Sequence, residues 1–155
     1  NGKRWRKDYM MEVLKYILSN YDYQLLLFYT PNEKEYTVNL AEELQNDRVF
    51  YNIETKDVRD LAKLMANSDY YFGNEGGARH IAQAVELPGF AVFSADESKK
   101  DWLVNNGNTD YDGIEARDIL GDSVYSMSEH ERYDVITPQE VIKRLEPKLL
   151  KLRKN

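Results

Sequence analysis

Tyr70-Tyr71-Phe72-Gly73-Asn74-Glu75-Gly76-Gly77-Ala78-Arg79-His80-Ile81-Ala82-Gln83-Ala84 is the stretch that decides the fold. A short aromatic run ends in a glycine-rich turn, and the turn opens into residues that favour a helix. Glycines let a backbone approach an anion closely, and the free N–H groups and dipole of a first helical turn favour negative charge there. The same strand, turn and helix also serve as a plain connector, and spacing alone leaves both readings open. Glu75 can accept hydrogen bonds from sugar hydroxyls yet would repel a diphosphate beside it, so it is expected to face a sugar. Its bland reading is an acid favoured by the helix dipole and nothing more. His80 is expected in the first helical turn as a donor to a phosphate or ribose, or else as a structural histidine.

Strand and helix alternate outward from this segment. Over residues 8–20, Met10, Val13, Leu14, Ile17 and Leu18 recur at helical steps. Residues 23–29 form a continuous apolar run closed by Thr30-Pro31-Asn32, which predicts a strand buried on both faces. Residues 33–46 return to helix with Val38, Ala41 and Leu44 inward, residues 49–53 read as a strand, and residues 58–67 as a helix with Val58, Leu61, Ala62 and Met65 as its inner stripe. After the decisive turn, residues 78–87 carry helix formers, and residues 89–94 supply another apolar strand behind Pro88. Short buried strands separated by helices require crossover connections, so the class is α/β with a doubly wound parallel sheet. In such sheets ligands bind outside the carboxyl ends of the strands, where the glycine turn would lie.

The remainder is less periodic. Residues 98–108 and 110–122 read as loops with short helical turns. Thr137-Pro138-Gln139-Glu140 joins an N-cap, a first-turn proline and a capping glutamate, so a C-terminal helix is expected over about 137–152, interrupted or kinked at Pro147. The 155 residues fit one domain, spanning 1–155.

Composition narrows the functions. The net charge of -6, from 27 acidic and 21 basic side chains, would repel a phosphate backbone, so a nucleic-acid partner is not expected. Cysteine is absent and histidine occurs twice, at His80 and His130, so no metal site is expected. No apolar run approaches the length that crosses a bilayer, and the expectation is a cytoplasmic domain. The basic tail Lys148, Lys151, Arg153 and Lys154 admits peripheral contact at an anionic inner membrane, although four charges on a terminal helix more often form a solvated face. Trp5 and Trp102 are expected to pack rather than to stack on a ligand.

The run from Gly73 to Ala84, followed by Pro88 and Ala91-Val92-Phe93, resembles the signature of the family-nine glycosyltransferases, the heptosyltransferases. There the run reads Asn-Asp-Ser-Gly-Pro-Met-His-Ile-Ala-Ala-Ala before a proline and an apolar strand. Lys3-Arg4-Trp5 is similar to a Lys-Arg-Trp-Pro run that follows the first strand of that family's C-terminal domain. The resemblance covers about Lys3 to Trp102, and two motifs in the right order make it more specific than either alone.

It implies a Rossmann-like domain forming the C-terminal, donor-binding half of a GT-B enzyme, with the first strand and an N-terminal acceptor domain absent from this chain. It implies a nucleotide-diphospho-sugar as substrate, a lipid-linked glycan as acceptor, no cofactor, and basic residues and helix dipoles in place of a metal. Carried over by position, Lys3 neutralises the diphosphate, Asn74, Glu75, Gly76, Gly77 and Ala78 cradle the donor, and His80 supports its phosphate end. Two departures stand out: Glu75 replaces the family's aspartate, and Ala78-Arg79 replaces its Pro-Met pair. The general base lies in the N-terminal domain, so this chain is expected to be inactive alone. A non-catalytic nucleotide-binding regulatory module is the alternative reading.

Overall fold

The structure is a computed structural model and describes residues 4–103 and 110–153. The chain opens with α1 (Lys7–Asn20), whose buried stripe contains all five expected apolar residues together with Met11. Then follow β1 (Leu25–Tyr29), a 3-10 turn at Pro31–Glu33, α2 (Lys34–Leu44), β2 (Val49–Glu54), α3 (Val58–Ala66), β3 (Tyr71–Asn74), α4 (Gly77–Ala84) and β4 (Gly89–Val92). The last third holds α5 (Lys99–Trp102), β5 (Tyr111–Ile114), α6 (Arg117–Leu120), a 3-10 stretch at Gly121–Ser126, α7 (Glu129–Val135) and α8 (Pro138–Arg153).

Every described strand pair is parallel, which fits the alternation read from the sequence. The strands form two ladders, β1-β2 and β3-β4-β5. Both lie between the same two apolar clusters. Leu25, Leu27, Tyr70 and Phe72 pack into the larger one, under α1, α2 and α8. Phe28 and Tyr71 share the smaller one with Leu61, Met65 and Ala82 of α3 and α4. Apolar clusters therefore lie on both faces of the ladders, as in a doubly wound arrangement, although part of the β1-β2 ladder stays exposed.

Between β1 and β3, where no ladder bond joins the strands among the described residues, the segment leading into α1 is fastened at the carboxyl ends. The Trp5 amide donates to Asn74 Oδ1 at 2.8 Å, and Arg4 approaches Glu33 at 3.8 Å and lies over the Tyr36 ring at 3.9 Å. The Trp5 indole is 1% exposed, and its Nε1–H donates to the Ile136 carbonyl at 2.9 Å, so the packing role expected for it holds.

β4 is the innermost strand, with Phe90, Ala91 and Val92 at 0% exposure. In register across the sheet lie Gly73, Ala91 and Gly113. A Cβ on Gly113 would stand 2.5 Å from the Phe93 ring and 2.6 Å from the Ala91 carbonyl. Glycine is thus required where Phe93 folds over β5. This explains why residues 110–122, rich in Asp and Gly, read as loop: the composition has low strand propensity, and packing overrides it to form β5.

Other expectations need correction. β1 is not buried on both faces: Leu26 is 38% exposed and pairs with Phe50, which is 44% exposed, because α3 packs against α4 and leaves that end of the ladder uncovered. Val58 opens α3 at the surface, 66% exposed, instead of joining the stripe of Leu61 and Met65. α8 runs through Pro147 without interruption. Pro147 and Lys143, whose carbonyl loses its helical donor, both lie on the exposed face, where water can take that bond. Thr137 caps α8 through the Glu140 amide at 3.3 Å, but the Glu140 carboxylate pairs forward with Arg144.

Replacing Trp5 by alanine empties a fully enclosed indole site and strips the Ile136 carbonyl of its donor. The expected loss is about 3–5 kcal/mol, read as a lowered urea midpoint by tryptophan-independent circular dichroism.

Candidate functional site

The glycine turn lies at the carboxyl end of β3 and is stitched to its neighbour by the Glu75 amide, which donates to the Val92 carbonyl at 2.8 Å. The Tyr71 phenol donates to the Asn74 carbonyl at 3.1 Å and closes the strand's last turn from below. Burial pushes that phenol well above its ordinary value, the Glu75 carboxylate adds to the rise, and Arg79 opposes it. Gly76 and Gly77 face open space, since a Cβ at either would meet nothing within 4 Å. Their openness marks a backbone surface that a ligand can approach. α4 starts there, and the His80 amide makes an early helical bond to the Gly76 carbonyl at 3.4 Å. The N–H groups of a first helical turn lack partners within the helix and are free to meet a ligand there.

Beneath the turn sits a buried ion pair. Arg79, 4% exposed, engages Glu75, 7% exposed, through its Nε, at the i and i+4 spacing that places both on one side of the turn. Its Nη1 donates to Gln83 Oε1 at 2.7 Å and its Nη2 to the Trp102 carbonyl at 3.0 Å. The same Nη2 approaches His80 Nδ1 at 3.2 Å, and His80 Nε2 lies 3.3 Å from the other Glu75 oxygen. A proton on Nε2 satisfies both contacts of the imidazole. The Trp102 ring meets His80 edge-on, with centroids 5.2 Å apart.

This arrangement corrects the orientation expected for Glu75. Its carboxylate is turned inward to Arg79 and His80 rather than outward to a sugar, because a guanidinium buried in α4 needs a counter-charge and Glu75 is the carboxylate that reaches it. Asn74 is likewise committed, as the acceptor for Trp5. The exposed parts of the predicted set are Gly77 and His80, with Gly76 and Ala78 half-buried beside them. Lys3 lies outside the described residues. Arg79, read from the sequence as a departure from a pattern, is the hub of the cluster, and its spacing from Glu75 and Gln83 was the available signal. Trp102, expected to pack, is 43% exposed at the edge of His80. In the basic tail, Lys148 turns to Asp110 at 2.9 Å, and Arg153 donates to the Asn20 carbonyl at 3.1 Å, so neither is a free surface charge. No helix among the described residues is long and apolar enough to cross a membrane.

A covered parallel sheet with an open glycine turn at its carboxyl rim defines a Rossmann-like domain of the GT-B-like kind. The chain belongs to glycosyltransferase family 9 (heptosyltransferase), whose model matches residues 1–109. A glycosyltransferase family 9 structure from Veillonella parvula superposes with a TM-score of 0.71 at 19% identity, covering 97% of this chain and 43% of that one. The E. coli heptosyltransferase WaaC with ADP-2-deoxy-2-fluoro heptose superposes with a TM-score of 0.66 at 14% identity, covering 96% of this chain and 40% of that one. This chain thus spans less than half the length of either solved structure. No curated protein matches it.

Removing one member of the buried pair strands the other. Arg79→Met is expected to cost about 3–5 kcal/mol in urea unfolding, and the double variant Glu75→Gln/Arg79→Met to recover a large part of that loss. Additive single and double effects would show that the two side chains are not coupled.

Proposed function

We propose that this domain holds the nucleotide-diphospho-sugar donor of an inverting glycosyltransferase, with the diphosphate on the exposed amides that open α4. The observation that carries the reading is the open backbone at Gly76 and Gly77, at the carboxyl rim of a family 9 domain. His80 borders that surface, but its two ring nitrogens face Glu75 and Arg79, so it donates to a phosphate oxygen only by turning its ring away from that pair. Lys3, which precedes the anchored Arg4 and Trp5 in the chain, neutralises the leaving diphosphate. The buried pair fixes the turn, so the amides are aimed before the ligand arrives and little ordering cost remains to oppose binding.

The sugar is heptose or a related ring, by kinship with a heptosyltransferase family whose E. coli member was solved with an ADP-heptose analogue. The acceptor is a glycan of the lipopolysaccharide type. In the reaction an acceptor hydroxyl attacks the anomeric carbon, the bond to the diphosphate oxygen breaks, and the hydroxyl proton passes to a base. That base belongs to a facing N-terminal domain. Basic residues and helix dipoles offset the charge that develops on the diphosphate, and no metal is required.

Calorimetric titration with ADP-heptose, ADP-glucose and the corresponding UDP and GDP sugars tests the reading. Binding of at least one, without turnover by the isolated chain, is the expected result. Gly77→Asp sets a carboxylate on the proposed phosphate surface, where a Cβ meets nothing. Because an acid in a first helical turn is neutral or slightly stabilising, the variant should fold normally and lose at least about tenfold in donor affinity. Undiminished donor binding by Gly77→Asp would remove the diphosphate from this turn.

A further inference from the structure

A second recess opens at the same rim, beyond Trp102, at the carboxyl ends of β4 and β5. It is a cavity of about 170 Å³. Its floor is apolar, from Phe93, Val124 and Ile136, each at most 3% exposed. Three polar groups in its wall lack a hydrogen-bond partner among the described residues: the Ser94 hydroxyl, the Tyr133 phenol and the Arg132 Nε–H. Ser94 and Tyr133 are each only 5% exposed. Burial pushes the Tyr133 phenol up to about 12; the nearby Ser94 hydroxyl opposes the rise without meeting hydrogen-bond geometry. Orphaned polar groups of this depth are uncommon in folded proteins, and a row of them around one cavity points to something that completes them.

The chemistry of the wall selects the class of occupant. Two hydroxyls can each donate and accept, whereas the Arg132 Nε–H only donates, so the occupant must offer both acceptors and donors. The charged side chains lining the recess are Asp96, Glu97, Asp101 and Glu115 beside Arg117 and Arg132, an acidic balance that disfavours an anion. Arg117 is already drawn to Asp122 at 3.3 Å, and Arg132 holds the Ala95 carbonyl through Nη1 at 3.0 Å. No three carboxylate or imidazole groups among the described residues stand close enough to hold a metal ion. At the mouth, the rings of Tyr125 and Trp102 are 63% and 43% exposed, apolar faces suited to the C–H side of a saturated ring. Vicinal hydroxyls on an otherwise apolar ring match all of these features together.

We propose that the recess bounded by Ser94, Trp102, Tyr125, Arg132 and Tyr133 is a subsite for one neutral sugar ring, separate from the glycine turn. It requires no nucleotide at Gly76 and Gly77. The ring could come from either end of a transfer reaction, as part of a donor or of a glycan chain, and the shared chemistry is a neutral polyhydroxylated ring.

The test is a nitrogen-15 amide titration of the 155-residue chain with methyl α-D-mannopyranoside and methyl β-D-glucopyranoside, each taken to its solubility limit, beside inorganic pyrophosphate. At least one glycoside is expected to shift the amides of Ser94, Ala95, Glu115, Arg132 and Tyr133 and the Trp102 indole. Tyr133→Phe removes only the orphaned hydroxyl and should leave the unfolding midpoint unchanged or raised, because an unsatisfied buried group is lost. The same change should weaken glycoside binding about fivefold, the worth of one neutral hydrogen bond. Absence of shifts at the solubility limit, shifts produced by pyrophosphate in place of the glycosides, or equal glycoside affinity in Tyr133→Phe would each overturn the subsite. Gly77→Asp separates the two readings. Glycoside shifts that persist in that variant support the subsite whatever becomes of donor binding, and their disappearance would fold the recess into the glycine turn and end the claim of a second site.

Discussion

A guanidinium placed inside a protein must be met by a full charge and by acceptors for its remaining N–H groups, or it costs several kcal/mol. Arg79 meets that demand by drawing in Glu75 from the end of β3, Gln83 from the next turn of α4, and the Trp102 carbonyl from beyond β4. Three separate pieces of chain are thereby referred to one planar group, whose donors leave in fixed directions. The glycine turn hangs between two members of that set. Gly76 and Gly77 are therefore held, although a Cβ at either would meet nothing within 4 Å. Their conformational freedom, which glycine would otherwise retain, is removed by the ion pair underneath. An open backbone surface and a rigid one are usually opposed requirements, and here burial of the neighbouring charges reconciles them.

The fold was legible where side chains report on packing directly. Met10, Val13, Leu14, Ile17 and Leu18 repeat at helical steps because α1 buries one face, and Phe90, Ala91 and Val92 are uninterrupted because β4 is buried on two. Legibility failed where a neighbour dictates the residue. Asp112 and Gly113 have poor strand propensity, yet Phe93 needs the space above Gly113, so the sheet accepts glycine there and the sequence reads as loop. α7 leaves little periodic trace in the sequence although Ser128 and Glu131 form a complete capping box, because its apolar residues are few and its buried member is Tyr133. Pro147 misled in the opposite direction, since its penalty is small on a face where water replaces the missing donor.

The place of the glycine turn was legible, but the orientation of its side chains was not. Glycines at the end of an aromatic strand mark a rim turn through backbone geometry alone, and that geometry is local. The direction of the Glu75 carboxylate depends on Arg79 and His80, and a sequence shows only that they are four and five residues on. The recess under Tyr125 is invisible for the same reason in stronger form. Ser94, Arg132 and Tyr133 come from the end of β4 and from α7, and no spacing joins them.

Trp102 ties these features into one surface. Its carbonyl is an acceptor for Arg79, its ring meets that of His80 in a T-shaped contact, and the residue also lines the recess. The glycine turn and the recess therefore share a structural member, even though they offer different chemistry: amides and a helix dipole on one side, hydroxyls and aromatic faces on the other. A molecule with a charged end and a neutral ring would find both kinds of partner along a single rim, in an order set by the sheet.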